Sequence, residues 1–147
     1  MDEAHRLASS NGQASTSQIE YFRAFVLADL GRFDDALVAA NAARVEAGNE
    51  PTVLVGIVHS LAGRRAEAEE VCRALAQKAT VGFVPSTDFA MLAAAMGEHD
   101  AAVRWLERGL AEHARGMAAI NVHPVLRRLR AHPGYLALLK RLDLPLP

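Results

Sequence analysis

The sequence of 147 residues contains a single cysteine, Cys72, so it cannot form an internal disulfide and nothing in it indicates an oxidising compartment. Aromatic residues make up only 5% of the chain. The longest apolar stretch without a formal charge, residues 51–63, is too short to span a bilayer. The opening residues are polar, so no secretory signal peptide is expected. These absences predict a soluble, cytoplasmic protein with no membrane partner.

Net charge is also nearly absent. Sixteen basic and 17 acidic residues give a formal net charge of −1, which argues against a general surface for nucleic acid. The balance hides an asymmetry, because residues 1–112 carry a net charge of −6 and residues 113–147 a net charge of +5. Two interpretations of this basic end stay open: a solvated face that pairs with the acidic body, or a surface for an anionic partner. The cations that form the basic C-terminal patch are Arg127, Arg128, Arg130, Lys140 and Arg141.

Recognisable signatures of catalysis and metal binding are missing as well. No two of the six histidines are three or four residues apart, the spacing that places two metal ligands on one helix face. No nucleophile elbow, phosphate-binding loop or dinucleotide motif occurs. Cys72 is in phase with Ala40 and Leu106, which predicts a packing residue and not a reactive thiol. The expectation is a protein that is not an enzyme, with no catalytic residues, no metal and no cofactor.

What the sequence does contain is internal repetition with a period near 34 residues. Gly31, Gly63 and Gly97 are 32 and 34 residues apart, and an alanine follows each of them after five residues. Pro51 and Pro85 each lie 12 residues before a glycine. Proline is favoured where a helix begins, and glycine where a helix ends in a left-handed turn. The period therefore predicts pairs of antiparallel helices joined by tight turns.

The second helix of each predicted pair carries a stripe of small or apolar residues. The stripes are Ala36, Ala40 and Ala43; Ala68, Cys72 and Leu75; and Ala102, Leu106 and Gly109. Their spacing of four and three residues places each stripe on one helix face and lets paired helices approach closely. A competing interpretation makes residues 52–58 a buried strand of an α/β unit. No glycine-rich phosphate loop follows that segment, and its phase relative to Gly63 favours a helix.

With this pattern the sequence resembles the tetratricopeptide repeat (TPR) family, a 34-residue helix-turn-helix with a small residue in its first helix and a glycine at the turn. The small position falls on Ala24, Gly56 and Ala90. The resemblance implies an all-α fold, an α-α superhelix with repeats at about 17–48, 51–80 and 85–116. Short capping helices would fill residues 117–147 and complete a single domain over 17–147. The polar segment 1–16 is expected to be disordered or partly helical.

The last third of the chain is similar to the C-terminal end of repeat domains in bacterial signalling proteins, such as winged-helix regulators and class III adenylate cyclases. The segment that carries this similarity is HPVLRRLRAHPGYLALLKRLDLP. Its two His-Pro pairs, at 123–124 and 132–133, predict breaks before short helices at 124–130 and 133–142. Their apolar residues would cap the last repeat, and Trp105 is expected to pack against this cap.

In the TPR family the first helices line a concave surface where peptides or partner helices dock. Carried onto this sequence, the resemblance places nine residues there: Tyr21, Phe25 and Ala28; Val53, Ile57 and Ser60; and Thr87, Met91 and Ala94. None is a lysine, arginine or asparagine of the kind that captures acidic chaperone tails. The implied function is a non-catalytic interaction module, a scaffold or regulatory adaptor that binds a protein or peptide in an apolar groove or self-associates as a homodimer.

The alternative is a sensor or effector domain that binds a small apolar ligand in the same groove. Two structural questions stay open in the sequence. The cap or the N-terminal segment could cover the groove. The first helix could also present a different stripe, formed by Ile19, Phe22, Val26 and Leu30, since these residues share one helix face.

Overall fold

A computed structural model describes residues 2–46 and 52–147, with side chains for 16–43, 52–114 and 116–147. This described part of the chain is all-helical, as the sequence predicts, and it contains no strand. None of its helices combines the length and the hydropathy needed to cross a bilayer. The elements in chain order are α1 (Asp2–Asp29), α2 (Phe33–Glu46), α3 (Val53–Leu61), α4 (Arg65–Val81), α5 (Ser86–Ala95), α6 (His99–Ala111), a first 3₁₀ helix (Arg115–Ala119), a second 3₁₀ helix (Leu126–Leu129) and α7 (Pro133–Arg141).

Successive helices pack as three hairpins, α1 with α2, α3 with α4 and α5 with α6, and α3 also contacts α2 and α5. The three glycines of the repeat end the first helix of each hairpin, at φ values of 73° for Gly31, 74° for Gly63 and 81° for Gly97. In each turn the glycine N–H donates to the carbonyl three residues back, and the next N–H donates to the carbonyl five residues back. This is the Schellman motif, which satisfies the last carbonyls of a helix.

The starts of the helices agree with the sequence where they are described. Pro85 lies directly before α5, whereas Pro51 is outside the described residues. The segment 52–58, for which a strand was the competing interpretation, belongs to α3 from Val53 onward. The polar N-terminal segment is helical from Asp2 onward, because α1 continues through it.

Small residues lie where the hairpins approach most closely. Ala24 and Ala90 are fully buried, and so are the alanines that follow each turn: Ala36, Ala68 and Ala102. At Gly56 a Cβ atom would lie 2.9 Å from Val71 Cγ1, so α3 and α4 are closer there than an alanine permits. Cys72, expected to be a packing residue, is half-buried against the core, and burial raises the pKa of its thiol.

The C-terminal segment folds as two short helices near the predicted positions, and its apolar side chains are buried: Val125, Leu126, Leu129, Tyr135, Leu138 and Leu139. The Tyr135 hydroxyl donates to the Ile120 carbonyl at 3.0 Å. His132 precedes α7, where its Nδ1 accepts from the Gly134 N–H at 3.1 Å and its Nε2 lies 2.8 Å from Asp100 Oδ1. These contacts fix the segment against α6.

The turns of neighbouring hairpins are joined by ion pairs. Arg64, in the second turn, donates to Asp34 of the first hairpin at 2.6 Å, and Arg65 donates to Glu98 of the third at 3.1 Å. Both pairs are exposed to solvent, so they contribute little to stability. They show that the turns of the three hairpins lie at one edge of the molecule.

Candidate functional site

The residues assigned to the concave groove do not form an open surface. Phe25, Ile57, Thr87 and Ala94 are buried, and Ala28 is buried with them. The other four, Tyr21, Val53, Ser60 and Met91, are half-buried. The hydroxyl of Ser60 donates to the Gly56 carbonyl at 2.8 Å and is therefore used within its own helix. The buried residues among them pack in the interior of this structure, and their assignment to a partner-binding groove stays a prediction.

The C-terminal segment covers part of this face. His123 Nε2 lies 3.0 Å from the Tyr21 hydroxyl, and the His123 ring contacts the Phe25 ring edge-on at 5.5 Å between centroids. At Gly116, a Cβ atom would lie only 3.1 Å from Thr87 Cγ2, and the second 3₁₀ helix packs on α5. The chain thus crosses from α5 back to α1. Of the open interpretations, the structure favours the one in which the cap covers the groove, because each apolar surface buries the other.

The contact between Tyr21 and His123 joins two neutral side chains. Burial raises the pKa of Tyr21 to about 12, and Asp88 nearby adds to the effect. Burial also lowers the pKa of His123 to about 4. The Val125 N–H donates to His123 Nδ1 at 3.4 Å, so the neutral ring carries its proton on Nε2 and donates to the Tyr21 oxygen. The segment is therefore held on α1 by an uncharged hydrogen bond and ring contacts.

An exposed apolar stripe remains on the opposite side of α1. We call it the outer stripe; it consists of Ile19, Phe22 and Val26 of α1 and of Leu30 directly after the helix, with exposed fractions from 52% to 67%. At 3.6 residues per turn these side chains face away from the buried side of the helix. The outer stripe, which the sequence left open as an alternative face of the first helix, therefore does not face the core. Instead α1 is apolar on two opposite sides, one covered and one exposed.

The five cations of the basic C-terminal patch are all exposed. Within the described residues, Arg127 donates to the Pro124 carbonyl and Arg130 to the Arg127 carbonyl, both of the main chain. Across the described side chains, none of the five cations forms an ion pair with a carboxylate. Among the described residues these five side chains therefore present their positive charge to solvent.

A cleft of about 310 Å³ lies between the end of α4, the loop before α5 and the C-terminal half of α6. The Trp105 ring stacks on Phe89 at 4.6 Å between centroids and lines the cleft. The ring that Trp105 stacks on thus comes from α5, whereas the sequence led us to expect packing against the cap. Phe83 projects from the loop and is 76% exposed. No periodic pattern in the sequence marks this loop, because it contains three irregular residues, 83–85.

Polar groups at the mouth of this cleft form a short network. Glu112 accepts from Arg108 Nε and from the buried Ser86 hydroxyl, both at 2.7 Å. Arg108 and then Ser86, by these hydrogen bonds, hold the pKa of Glu112 below its ordinary value. The Arg108 guanidinium also lies over the Trp105 ring, 5.4 Å from its centroid. The cleft therefore combines an aromatic wall with one charged network.

No group of three or more histidine, cysteine or acidic side chains that could hold a metal ion occurs within the described residues.

Comparison of the chain with protein-family models, with curated proteins and with solved structures finds no match.

Proposed function

We propose that the chain is a non-catalytic protein-protein interaction module of tetratricopeptide-like architecture, and that it self-associates through the outer stripe of α1. The observation that carries this proposal is the stripe itself: four large apolar side chains in line, each more than half exposed. Exposed apolar patches of this kind mark interaction surfaces. Three hairpins with in-phase glycine turns and buried small residues support the tetratricopeptide-like part.

A second copy of the chain suits the stripe for two reasons. The spacing of three, four and four residues along Ile19, Phe22, Val26 and Leu30 is the spacing of a helix-helix seam, so two copies of α1 can interlock side by side. In addition, α1 has 28 residues against 14 in α2, which leaves it long enough to run along another long helix. A two-fold axis then makes the same patch both halves of the interface.

The area is sufficient for such a dimer. With roughly 200 Å² for a fully exposed large apolar side chain, the four residues at their observed exposure present about 500 Å² per chain. Two copies would bury about 1,000 Å² from the stripes alone, which reaches the lower limit of a specific interface. The polar residues that flank the stripe, such as Gln18 and Arg23, would add the rim.

The experiment is light scattering after size exclusion, over a range of concentrations, on the wild type and two variants. Val26→Glu places a carboxylate in the centre of the stripe. Val38→Glu is the matched control, because Val38 lies on α2, outside the stripe, and is 69% exposed. We expect wild type and V38E to reach twice the 15.8 kDa chain mass, and V26E to raise the dimer dissociation constant at least about tenfold.

A wild type that stays monomeric at the highest concentration reached would contradict the proposal, and so would equal effects of V26E and V38E. Circular dichroism should show unchanged helicity in both variants, since neither side chain is buried. As its setting we propose a cytoplasmic bacterial signalling or regulatory system, on the basis of the similarity of the C-terminal third to repeat domains of such proteins.

A further inference from the structure

The cleft beside Trp105 is separate from the outer stripe and has a different character. It is concave, about 310 Å³ in volume, and its walls come from α4, the loop that contains Phe83, α5 and α6. This volume is at the lower end of the range for small-molecule sites, which are mostly apolar with a few polar groups that fix orientation. We propose that the cleft binds a small amphipathic carboxylate, with its apolar body against Phe83 and Trp105 and its carboxylate on Arg108.

The apolar part of such a ligand has a surface to cover. Phe83, which lines the cleft, is 76% exposed although it is a large apolar side chain. Phe89 and Trp105 form the stacked wall opposite the loop. One aromatic or aliphatic body placed between loop and wall would remove this surface from water, at about 25 cal/mol for each Å² covered.

The polar head group of the ligand is inferred from which hydrogen-bonding groups of the cleft already have a partner. Both oxygens of Glu112 accept a hydrogen bond, one from Arg108 Nε and one from Ser86 Oγ. Among the described residues, neither Nη group of Arg108 has an acceptor. Each oxygen of Glu112 thus already accepts one hydrogen bond, whereas the two Nη groups of Arg108 offer four N–H donors in the planar arrangement that suits a carboxylate. A ligand ammonium group would face these donors and the positive charge of Arg108, while the Glu112 carboxylate is already paired with Arg108.

Trp105 gives a direct test, because it is the one tryptophan of the sequence and it lines the cleft. The probes are three compounds that share a body and differ in the head group: 4-phenylbutyrate, 4-phenylbutan-1-ol and 4-phenylbutylamine. Each is titrated into the full chain while tryptophan emission is recorded. We expect a saturable change with 4-phenylbutyrate and a dissociation constant at least about tenfold lower than for the amine, the effect of one charge-assisted hydrogen bond. The alcohol should fall between them.

Three variants separate the two parts of the site. Arg108→Gln should bring the ratio between amine and carboxylate close to one, whereas Arg104→Gln, a change of an exposed arginine on the same helix outside the cleft, should preserve it. Phe83→Ser should weaken all three probes together and keep the ratio, because it removes apolar surface alone. Phe83 is exposed, so this variant should retain the fold, and circular dichroism verifies the fold of each variant.

The proposal is overturned if 4-phenylbutyrate produces no saturable change up to its solubility limit, or if the amine binds as tightly as the carboxylate. It is also overturned if Arg108→Gln retains the full discrimination. None of these outcomes depends on whether the chain self-associates, since the cleft and the outer stripe share no residue.

Discussion

Gly56 provides the sharpest test of how closely the hairpins pack. Glycine inside a helix is ordinarily less stable than alanine by about 0.5 to 1 kcal/mol, so Gly→Ala on a free helix face stabilises a protein. At Gly56 the added methyl group would lie 2.9 Å from Val71 Cγ1 and 3.0 Å from Leu92 Cδ1. Val71 is β-branched and cannot rotate away easily, so overpacking should cost about 1 to 3 kcal/mol. We expect Gly56→Ala to lower the free energy of unfolding by about 1 kcal/mol, the difference of the two effects.

The cost of the same substitution should largely disappear once Val71 Cγ1 is removed. Val71→Ala alone leaves a cavity in the core and should cost about 2 kcal/mol. In that background Cγ1 is absent, whereas Leu92 Cδ1 at 3.0 Å and the Cβ of residue 71 at 3.1 Å stay close to the new methyl group, so Gly56→Ala should be nearly neutral. The coupling energy between the two sites is then at least about 1 kcal/mol.

The assay is urea unfolding followed by circular dichroism for the wild type, both single variants and the double variant, at one protein concentration. Equal slopes with urea across the four proteins would show that the denatured states are comparable. If Gly56→Ala instead stabilises the wild-type background by the amount expected of a free helix face, α3 and α4 are farther apart than described and the reasoning fails.

Two further predictions concern the turns and the buried histidine. Gly97→Ala should lower the free energy of unfolding by about 1 kcal/mol, because its φ of 81° is costly for any residue with a Cβ atom. His113 ends α6 in the same motif at a φ of 53°, so His113→Gly should raise the free energy of unfolding by about 0.5 kcal/mol. Urea unfolding in which both substitutions change stability in the same direction would contradict these two expectations. Burial lowers the pKa of His123 to about 4 from an ordinary 6.5, so the unfolded chain binds more protons between these pH values and stability falls as the pH falls. Allowing for the partial exposure of His123, the free energy of unfolding should fall by about 2 kcal/mol as the pH falls, and this fall should be absent in His123→Gln. Parallel pH profiles of the unfolding free energy for the two proteins would rule out this contribution of His123.

The elements that the sequence predicted well are those encoded by local, periodic features. The turns are marked by Gly31, Gly63 and Gly97, because a left-handed conformation depends on one residue alone. The alanines five residues later are all buried because each occupies the same position in its repeat. Local periodicity could not decide which side of α1 faces the core. Two opposite sides of that helix are apolar, so periodicity allows either to face the core, and only packing against α2 and α3 selects the side with Phe25.

The candidate surfaces were predicted less well, for a related reason. The path of the C-terminal segment over the groove depends on contacts such as His123 with Tyr21, which are 102 residues apart and leave no local pattern. The cleft beside Trp105 depends on a short irregular loop and on which neighbour the indole ring stacks upon. Distances in the folded chain decide both, whereas residue type and spacing constrain them only weakly.

The return of the C-terminal segment to α1 has a consequence for folding. In an open stack of helical hairpins each unit touches only its neighbours, so the ends can fray one unit at a time. Here the contact of His123 with Tyr21 ties the last part of the chain to the first helix. Closing a loop of that length costs chain entropy late in folding, and breaking it exposes both ends together. We therefore expect the hairpins to melt as one cooperative unit, with truncation of the last residues loosening the first helix as well as the third hairpin.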